Sequence, residues 1–493
     1  MNYHAGLHEI FMKGYEPSLL KAWRRGASHP WFIVGTVCVG AFMGQLDSSI
    51  AQLILPDLEA QFMQRLSTVS WVSIAYLLTL TACLPIVGRL ADLYGRKQLY
   101  CGGFFVFIAG SALCGMAPNI PLLIGFRVLQ AVGASLLQAN SVAIIVTAAG
   151  NERRGRALGI QTTAQAIGLS VGPALGGFLV AAFGWRSVFW INVPFGLVGV
   201  LLGWLVLSNN RHHSQRDHFD WWGALTLAPA LTALLVLIEE AQEWGENALG
   251  LWLAATAVVL LLPLFVWSER RLRDPLLHLD LLRIRAFWTG NLAGLFSYAI
   301  LFGTFLLMPF VFERGFAEGP LAAGLRLTLV PVALGLVAPL SGLLHDSVGP
   351  RWLAVGGMAL NFVACGIMNI GLSSVPPDPM PIMVSLIVLG MGQGFFTVSN
   401  NSSVMGAVPT SRTGEGGGIL NLMRALGTSL GVAAATAILG WRIGAASASP
   451  DATIGATPSQ MLAAAHDVVL AFATFAILAG VLSLSGHHNE SAR

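Results

Sequence analysis

The feature that most constrains this chain is the recurrence, along its whole length, of stretches of about 20 apolar residues almost free of charge. Such a stretch matches the hydrocarbon thickness of a bilayer. There, only a helix or a closed barrel satisfies every backbone N–H and C=O. The windows fall near 31–55, 68–88, 98–117, 121–148, 157–182, 187–207, 221–238, 248–267, 287–312, 322–344, 352–372, 380–406, 415–439 and 465–485. The sequence therefore predicts an all-α polytopic membrane protein with fourteen transmembrane helices. Charged residues are only 10% of the 493, and 55% are hydrophobic. Soluble domains carry about 25% charged residues, so a soluble surface, a disordered chain and nucleic-acid binding are excluded as readings.

Basic residues set the orientation. Residues 1–30 carry Lys13, Lys21, Arg24 and Arg25 without the apolar core of a signal peptide, and read as a cytoplasmic tail. With that end inside, 20 of the 27 Lys and Arg fall on inner segments. Arg65, Arg186, Arg314, Arg326 and Arg442 fall on outer segments or outer helix ends, and Arg127 and Arg424 fall within spans. This bias predicts a multi-pass protein of the inner (cytoplasmic) membrane with both termini cytoplasmic. Cys38, Cys83, Cys101, Cys114 and Cys365 all lie in predicted spans, without disulfide or metal spacing, and read as small packing residues. The histidines fall in tails, loops or span ends, so neither a metal site nor a cofactor is expected.

The two halves echo each other. Gly88-Arg-Leu-Ala-Asp92-Leu-Tyr-Gly95-Arg96-Lys97 follows the second span, and Gly342-Leu-Leu-His-Asp346-Ser-Val-Gly349-Pro-Arg351 follows the tenth, at a constant offset of 254. Gly159, Gly168 and Gly172 pair with Gly418, Gly427 and Gly431 at an offset of 259. The expected organisation is a tail (1–30), a six-helix bundle (31–207), an inserted helix pair with flanking loops (208–286), a second six-helix bundle (287–486) and a short cytoplasmic tail (487–493). Repeats of this kind mark transporters, with the binding site at the repeat interface near the midplane.

The Gly88–Lys97 loop resembles the Gly-x-x-x-Asp-x-x-Gly-Arg-Lys loop of the major facilitator superfamily, a superfamily built from such repeats. More narrowly, the chain resembles the fourteen-span drug:proton antiporter family. Leu46-Asp47-Ser-Ser-Ile-Ala-Gln-Leu-Ile-Leu-Pro56 is similar to that family's first-span motif, with Gln52 and Ile54 where Asn and Ala are usual. Arg127-Val-Leu-Gln130-Ala-Val-Gly133-Ala134 is similar to the fourth-span motif, with Ala131 in place of Gly. Gly168, Gly172, Pro173, Gly176 and Gly177 match the fifth-span antiporter motif, and Trp185-Arg186 through Asn192-Val-Pro194 the start of the sixth span. The resemblance covers residues 31–485. It implies a latch at Gly88, Asp92, Gly95, Arg96 and Lys97, with a poorer copy around Asp346. It also implies a hinge at the fifth-span motif, associated with export rather than import. Locally, Gly95 suits a turn of positive φ and Asp92 suits a cap on the next helix.

Asp47 is the central candidate, because an ionised carboxylate at membrane depth costs roughly 2.5–3.5 kcal/mol on insertion scales and is functional by default. Asp47 and Arg127 each lie roughly 10 Å below the outer end of their spans, so an ion pair forms if those spans touch. The pair reads either as the proton-coupling group or as a purely structural bridge. Arg127 has Leu386 as its repeat mate, so the second half lacks this charge. Arg424, with Gln165 as its mate, offers a cation to an anionic substrate, to Glu415 or to backbone carbonyls. Gln161, Gln165, Asn291, Gln393, Asn421 and Arg424 are the candidates for lining a substrate cavity, against the plainer reading of interhelical hydrogen bonds.

The function expected is proton-coupled efflux of small lipophilic compounds by alternating access, a multidrug-type antiport. A proton-coupled importer of a metabolite or siderophore is the alternative on the same fold. An enzyme is not expected, since no cluster of His, Glu or Cys lies inside the spans. The implied partners are a small-molecule substrate, protons and the lipid bilayer, with a periplasmic adaptor protein left open and no nucleic acid.

Overall fold

The computed structural model describes residues 29–207, 221–240, 248–269, 279–374, 378–409, 413–447 and 456–486. The expected tails, apart from His29 and Pro30, and the inner connection 208–220 lie outside the described residues. Every regular element among those described is helical. The first half contains α1 (His29–Leu53), a short α2 (Leu55–Phe62), α3 (Leu66–Tyr94), α4 (Arg96–Met116), α5 (Ile120–Phe183), a one-turn α6 (Ser187–Trp190) and α7 (Asn192–Val206). The inserted pair is α8 (Trp221–Glu240) and α9 (Ala248–Glu269). The second half contains α10 (Arg285–Phe310), continued by a π-turn (Val311–Gly315), then α11 (Pro320–Leu327), α12 (Leu329–Val348) and α13 (Pro350–Ser373). It closes with α14 (Pro379–Gly406), α15 (Thr413–Ser447) and α16 (Pro458–Ser485).

Local chemistry sets these boundaries. Asn119 caps α5 by accepting from the Leu122 N–H at 3.0 Å, and Asp378 caps α14 by accepting from the Met380 N–H at 2.9 Å. The expected loop at 440–464 is shorter than its polarity suggested. α15 runs on to Ser447, and a capping box of Thr457 and Gln460 starts α16 at Pro458 rather than near 465. His466 thereby lies inside a helix, not at its end. The fourth and fifth expected spans are two helical limbs, together α5, that meet at a kink at Gly150, whose φ of 71° breaks the α conformation. The expected capping of the next helix by the Asp92 side chain lies outside the described residues. Asp92 itself lies within α3, and α4 begins after Gly95. Gly95 and its repeat mate Gly349 both hold positive φ, 102° and 83°, so each copy of the loop turns on a residue without a Cβ.

Among the described residues, twelve helices are long and apolar enough to cross a membrane. The two other expected spans lie in the 29-residue α3 and the 20-residue α8, whose uninterrupted described apolar runs are Thr68–Leu84 and Leu225–Leu234.

Glycine contacts show the repeat in three dimensions. Gly103 in α4 and Gly133 in α5 pack against each other, and a Cβ on Gly133 would collide with Phe107. In the second half Gly357 and Gly392 pack against each other, and a Cβ on Gly392 would meet Asn361. Likewise Gly168 and Gly172 rest on Phe42 and on Ser49 and Leu46 of α1, while Gly427 and Gly431 rest on Leu295 and Ala299 of α10. Small residues allow this close approach in a bilayer, where apolar burial alone drives no association.

The two halves meet where α5 lies against α11 and α12, and where α3 lies against α15. α8 packs on both α3 and α15, and α9 packs on α8. Burial ranks these positions: 83% of the apolar window of α10 and its π-turn is buried, against 11% for α9. α10 is therefore central, and α9 presents Leu249, Trp252 and Leu253 to the surroundings on an apolar periphery that only lipid would cover.

Candidate functional site

Five helices converge on Asp47. Arg127 Nη1 donates to Asp47 Oδ2 at 2.8 Å, and each side chain is 1% exposed. The other carboxylate oxygen, Oδ1, accepts from Gln130 Nε2 at 2.9 Å and from Asn192 Nδ2 at 2.8 Å. Gln130 lies three residues after Arg127, on the same face of α5, and its Oε1 accepts from Arg127 Nη1 at 2.6 Å. Ser111 of α4 accepts from both Gln130 and Asn192, at 2.6 and 3.2 Å. Arg127 Nε donates to the Val72 carbonyl of α3 at 3.1 Å, and its guanidinium lies 4.1 Å from the centroid of the Tyr76 ring. The equal depths inferred from sequence thus end in direct contact, because α1 and the first limb of α5 are neighbours.

A buried ion pair is not a general source of stability, since desolvating both charges offsets their attraction. The second half makes the comparison internally. The register of Gly427 on Leu295 and Gly431 on Ala299 makes Ile300 the counterpart of Asp47, and Gly392 makes Leu386 the counterpart of Arg127. Both are fully buried aliphatic residues. The same helix packing is thus built in one half around an ion pair and in the other around apolar side chains.

The fifth-span glycines have two faces. Gly168, Gly172 and Gly176 press on α1 at Phe42, Ser49, Ile50 and Leu53, one to two turns either side of Asp47. Pro173 and Gly177 face the other half, against Gly324 and Pro320–Leu321 of α11. One helix segment therefore touches the Asp47 helix on one side and the opposite bundle on the other. At the same ends, Arg314 of the π-turn bonds Glu59 of α2 at 2.7 Å and the Pro56 carbonyl at 3.3 Å. Burial beside this seam raises the Asp57 carboxyl above the ordinary range, partly opposed by the charge of Arg314.

The loop residues 88–97 lie apart from this cluster. Arg96 donates to Thr147 Oγ1 at 3.3 Å, and Lys97 donates to the Trp204 carbonyl at 3.0 Å, both within the first half. A Cβ on Gly88 would meet open space. The side chains of Asp92, Asp346 and Glu415 lie outside the described residues.

The cavity candidates divide. Gln393 is fully buried and tied at both ends to Ser297, accepting from its hydroxyl at 2.7 Å and donating to its carbonyl at 3.0 Å. It bridges α14 to α10 instead of facing a cavity. Gln161 donates to Ser141 at 3.0 Å, joining the two limbs of α5. Gln165 is half-buried in the second limb of the same helix. Asn291 and Arg424 do line a common cleft, with Tyr298, Phe396, Asn400 and Met423, and Asn421 accepts from Arg424 Nη1 at 3.3 Å. Ser111, Tyr76 and Tyr298 escaped the sequence reading. The only local signal for Ser111 was the small pair Gly110-Ser111 in an otherwise apolar helix.

The profile of the Major Facilitator Superfamily matches residues 37–432. The chain belongs to this superfamily. Among relatives in the superfamily, a riboflavin transporter of Clostridioides difficile is 34% identical over 403 residues, covering 82% of this chain and 87% of that protein. A multidrug resistance protein B homolog of Mycobacterium tuberculosis is 30% identical over 409 residues, covering 82% of this chain and 75% of that protein. A tetracenomycin C resistance and export protein of Streptomyces glaucescens is 28% identical over 418 residues, 84% of this chain and 77% of that one. Among solved structures, a bacterial homolog to the human lysosomal transporter Spinster, inward-facing and unoccupied, matches with a TM-score of 0.64 at 14% identity. It covers 94% of this chain and 100% of that one, and at this identity the likeness speaks for the fold alone. The protein is thus a multi-pass membrane transporter of the superfamily.

Proposed function

We propose that this transporter is a proton-coupled antiporter that exports small lipophilic compounds across the inner membrane by alternating access. The observation that carries the reading is Asp47 held by Arg127, Gln130 and Asn192 on a helix that also supports the fifth-span glycines. Protonation removes the charge that holds Arg127 and leaves one carboxyl oxygen a donor where it had been an acceptor. The ring around Asp47 then relaxes, α1 shifts against Gly168–Gly176, and the opposite face of that segment shifts against α11. Two protonation states thus favour two packings of the bundles, which is the requirement for coupling. The aliphatic Ile300 and Leu386 in the second half support a functional role for the charges, because the fold does without them there. The relatives named for multidrug resistance and for tetracenomycin export support the direction.

Fourteen crossings with both termini cytoplasmic belong to this proposal. α3 and α8, at 29 and 20 residues, are long enough to span about 30 Å. The deciding experiment uses purified protein in proteoliposomes. Asp47→Asn should retain expression and lose substrate accumulation driven by a pH gradient. Full accumulation in that variant sinks the coupling role. Import is the second reading, favoured by the relative named as a riboflavin transporter. Inverted vesicles separate the two, since an exporter concentrates substrate inside them and an importer does not.

A further inference from the structure

Arg424 differs from the ion-paired arginines of the helices. Arg127, Arg314, Arg326 and Arg442 each hold a carboxylate at 2.6–2.8 Å. Among the described residues no carboxylate reaches Arg424. Its Nη1 reaches only the neutral Asn421 oxygen at 3.3 Å, and its Nε is buried without a hydrogen-bond partner. Glu415 is nine residues earlier on the same helix, about 13 Å of rise away. A guanidinium at this depth without a counter-charge is costly unless an anion or water meets it.

The surroundings narrow what that anion is. Arg424 borders a cleft lined by Tyr298 and Phe396. The cleft is too narrow in this conformation to admit a water molecule and must widen to take a ligand. The Arg424 guanidinium lies 5.6 Å from the centroid of the Tyr298 ring. Aromatic and cationic faces together favour a flat ring system. Asn291, fully buried, faces the same cleft. Its Nδ2 is committed to the Phe287 carbonyl at 2.9 Å, while Oδ1 has no partner. An acceptor fixed in this way calls for an N–H or O–H donor. A cation would meet Arg424 as a like charge with no acidic side chain among the described lining residues.

We infer that this cleft is a cargo subsite for planar aromatic anions that carry an ionised oxygen for Arg424 and a neighbouring N–H or O–H donor for Asn291. The inference rests on the transport reading only in taking the ligand as cargo. It also fixes the electrical sign. Exchange of one external proton for one internal anion moves two positive charges inward, so the membrane potential adds to the pH gradient.

The test is equilibrium binding to the purified full-length protein in detergent, which needs no proton coupling. The probes are alizarin at mildly alkaline pH, its neutral 2-methyl ether, and the aromatic cation ethidium. At that pH the alizarin 2-hydroxyl is ionised and its 1-hydroxyl stays protonated against the ring carbonyl, so that the charge on Arg424 is what is tested. Alizarin should bind about tenfold more tightly than either comparator. Arg424→Gln should erase that preference and leave binding of the ether unchanged, with Arg424→Lys intermediate because it keeps the charge and loses the planar fork. Equal binding of the three probes to the wild-type protein overturns the inference without any variant. A preference that survives in folded Arg424→Gln, or in Arg424→Lys undiminished, overturns it as well. If alizarin binds through Arg424 but a pH gradient does not drive its movement in proteoliposomes, the antiport reading fails and the subsite stands.

Discussion

Pro173 and Gly324 meet backbone to backbone across the two halves of the protein. A Cβ built on Gly324 would fall on the carbonyl oxygen of Pro173. Pro173 carries no N–H, and its ring bends the helix interior. The contact therefore joins the second limb of α5 to α11 of the second half, on the side opposite the face that α5 turns to α1.

Gly324→Ala should consequently prevent the halves from closing at this end. The backbone oxygen cannot swing aside as a flexible side chain would, so α5 and α11 must separate. We expect slower transport, with increased labelling by a membrane-impermeant maleimide of a cysteine introduced at the buried Gln52 in a cysteine-free background. Unchanged labelling and rate would show that the seam tolerates a methyl group.

For the buried ion pair, Arg127→Leu alone should destabilise the protein by about 3–5 kcal/mol, because it leaves Asp47 buried without its counter-charge. The double variant Asp47→Leu/Arg127→Leu should recover thermal stability close to wild type, as Ile300 and Leu386 do in the second half. It should nonetheless show no transport driven by a pH gradient. Thermal unfolding and flux on the same preparations measure both, and a double variant that still couples flux to protons removes the pair from the mechanism.

The outer seam should respond to pH through Asp57, which faces Arg314 and Glu313, with Glu59 on its own helix. Its carboxyl is raised in this packing, so the closed seam binds the proton more tightly than the open one. Closure is therefore favoured as outside pH falls and disfavoured as pH rises through the raised value. Maleimide labelling at residue 52 should increase with pH in the wild type and less steeply in Asp57→Asn, where Glu313 is the remaining carboxyl of the seam. Arg314→Gln removes the opposing positive charge, so the labelling transition should move to higher pH.

Residues 88–97 and 342–351 are unequal copies of one motif, and the proposed orientation places both on the inner side. Pro350 and Leu343 stand in the second copy where the first has Arg96 and Arg89. Asp92→Asn should lengthen spin-label distances between the inner ends of α3 and α15 and slow transport, and Asp346→Asn should do so less. Identical distances in Asp92→Asn and wild type would leave the loop as a topology signal alone.

The sequence by itself determined that the chain is helical and membrane-embedded, because apolar length and scarcity of charge are properties of a segment read alone. It also determined the repeat and the depth of Asp47 and Arg127, since helical rise converts residue number into depth. Helix ends were less legible. The capping box at Thr457 and Gln460 outweighed the polarity of the preceding segment. What only the tertiary structure decided is which polar side chains share a partner. Gln393 and Asn291 look alike in sequence, yet one is closed on Ser297 and the other keeps an open oxygen beside Arg424. Ser111 and Asn192 join Asp47 from two other helices. Hydrogen bonds between helices depend on rotation and approach, which glycine contacts such as Gly172 on Ser49 set, and no single segment encodes the face its neighbour presents.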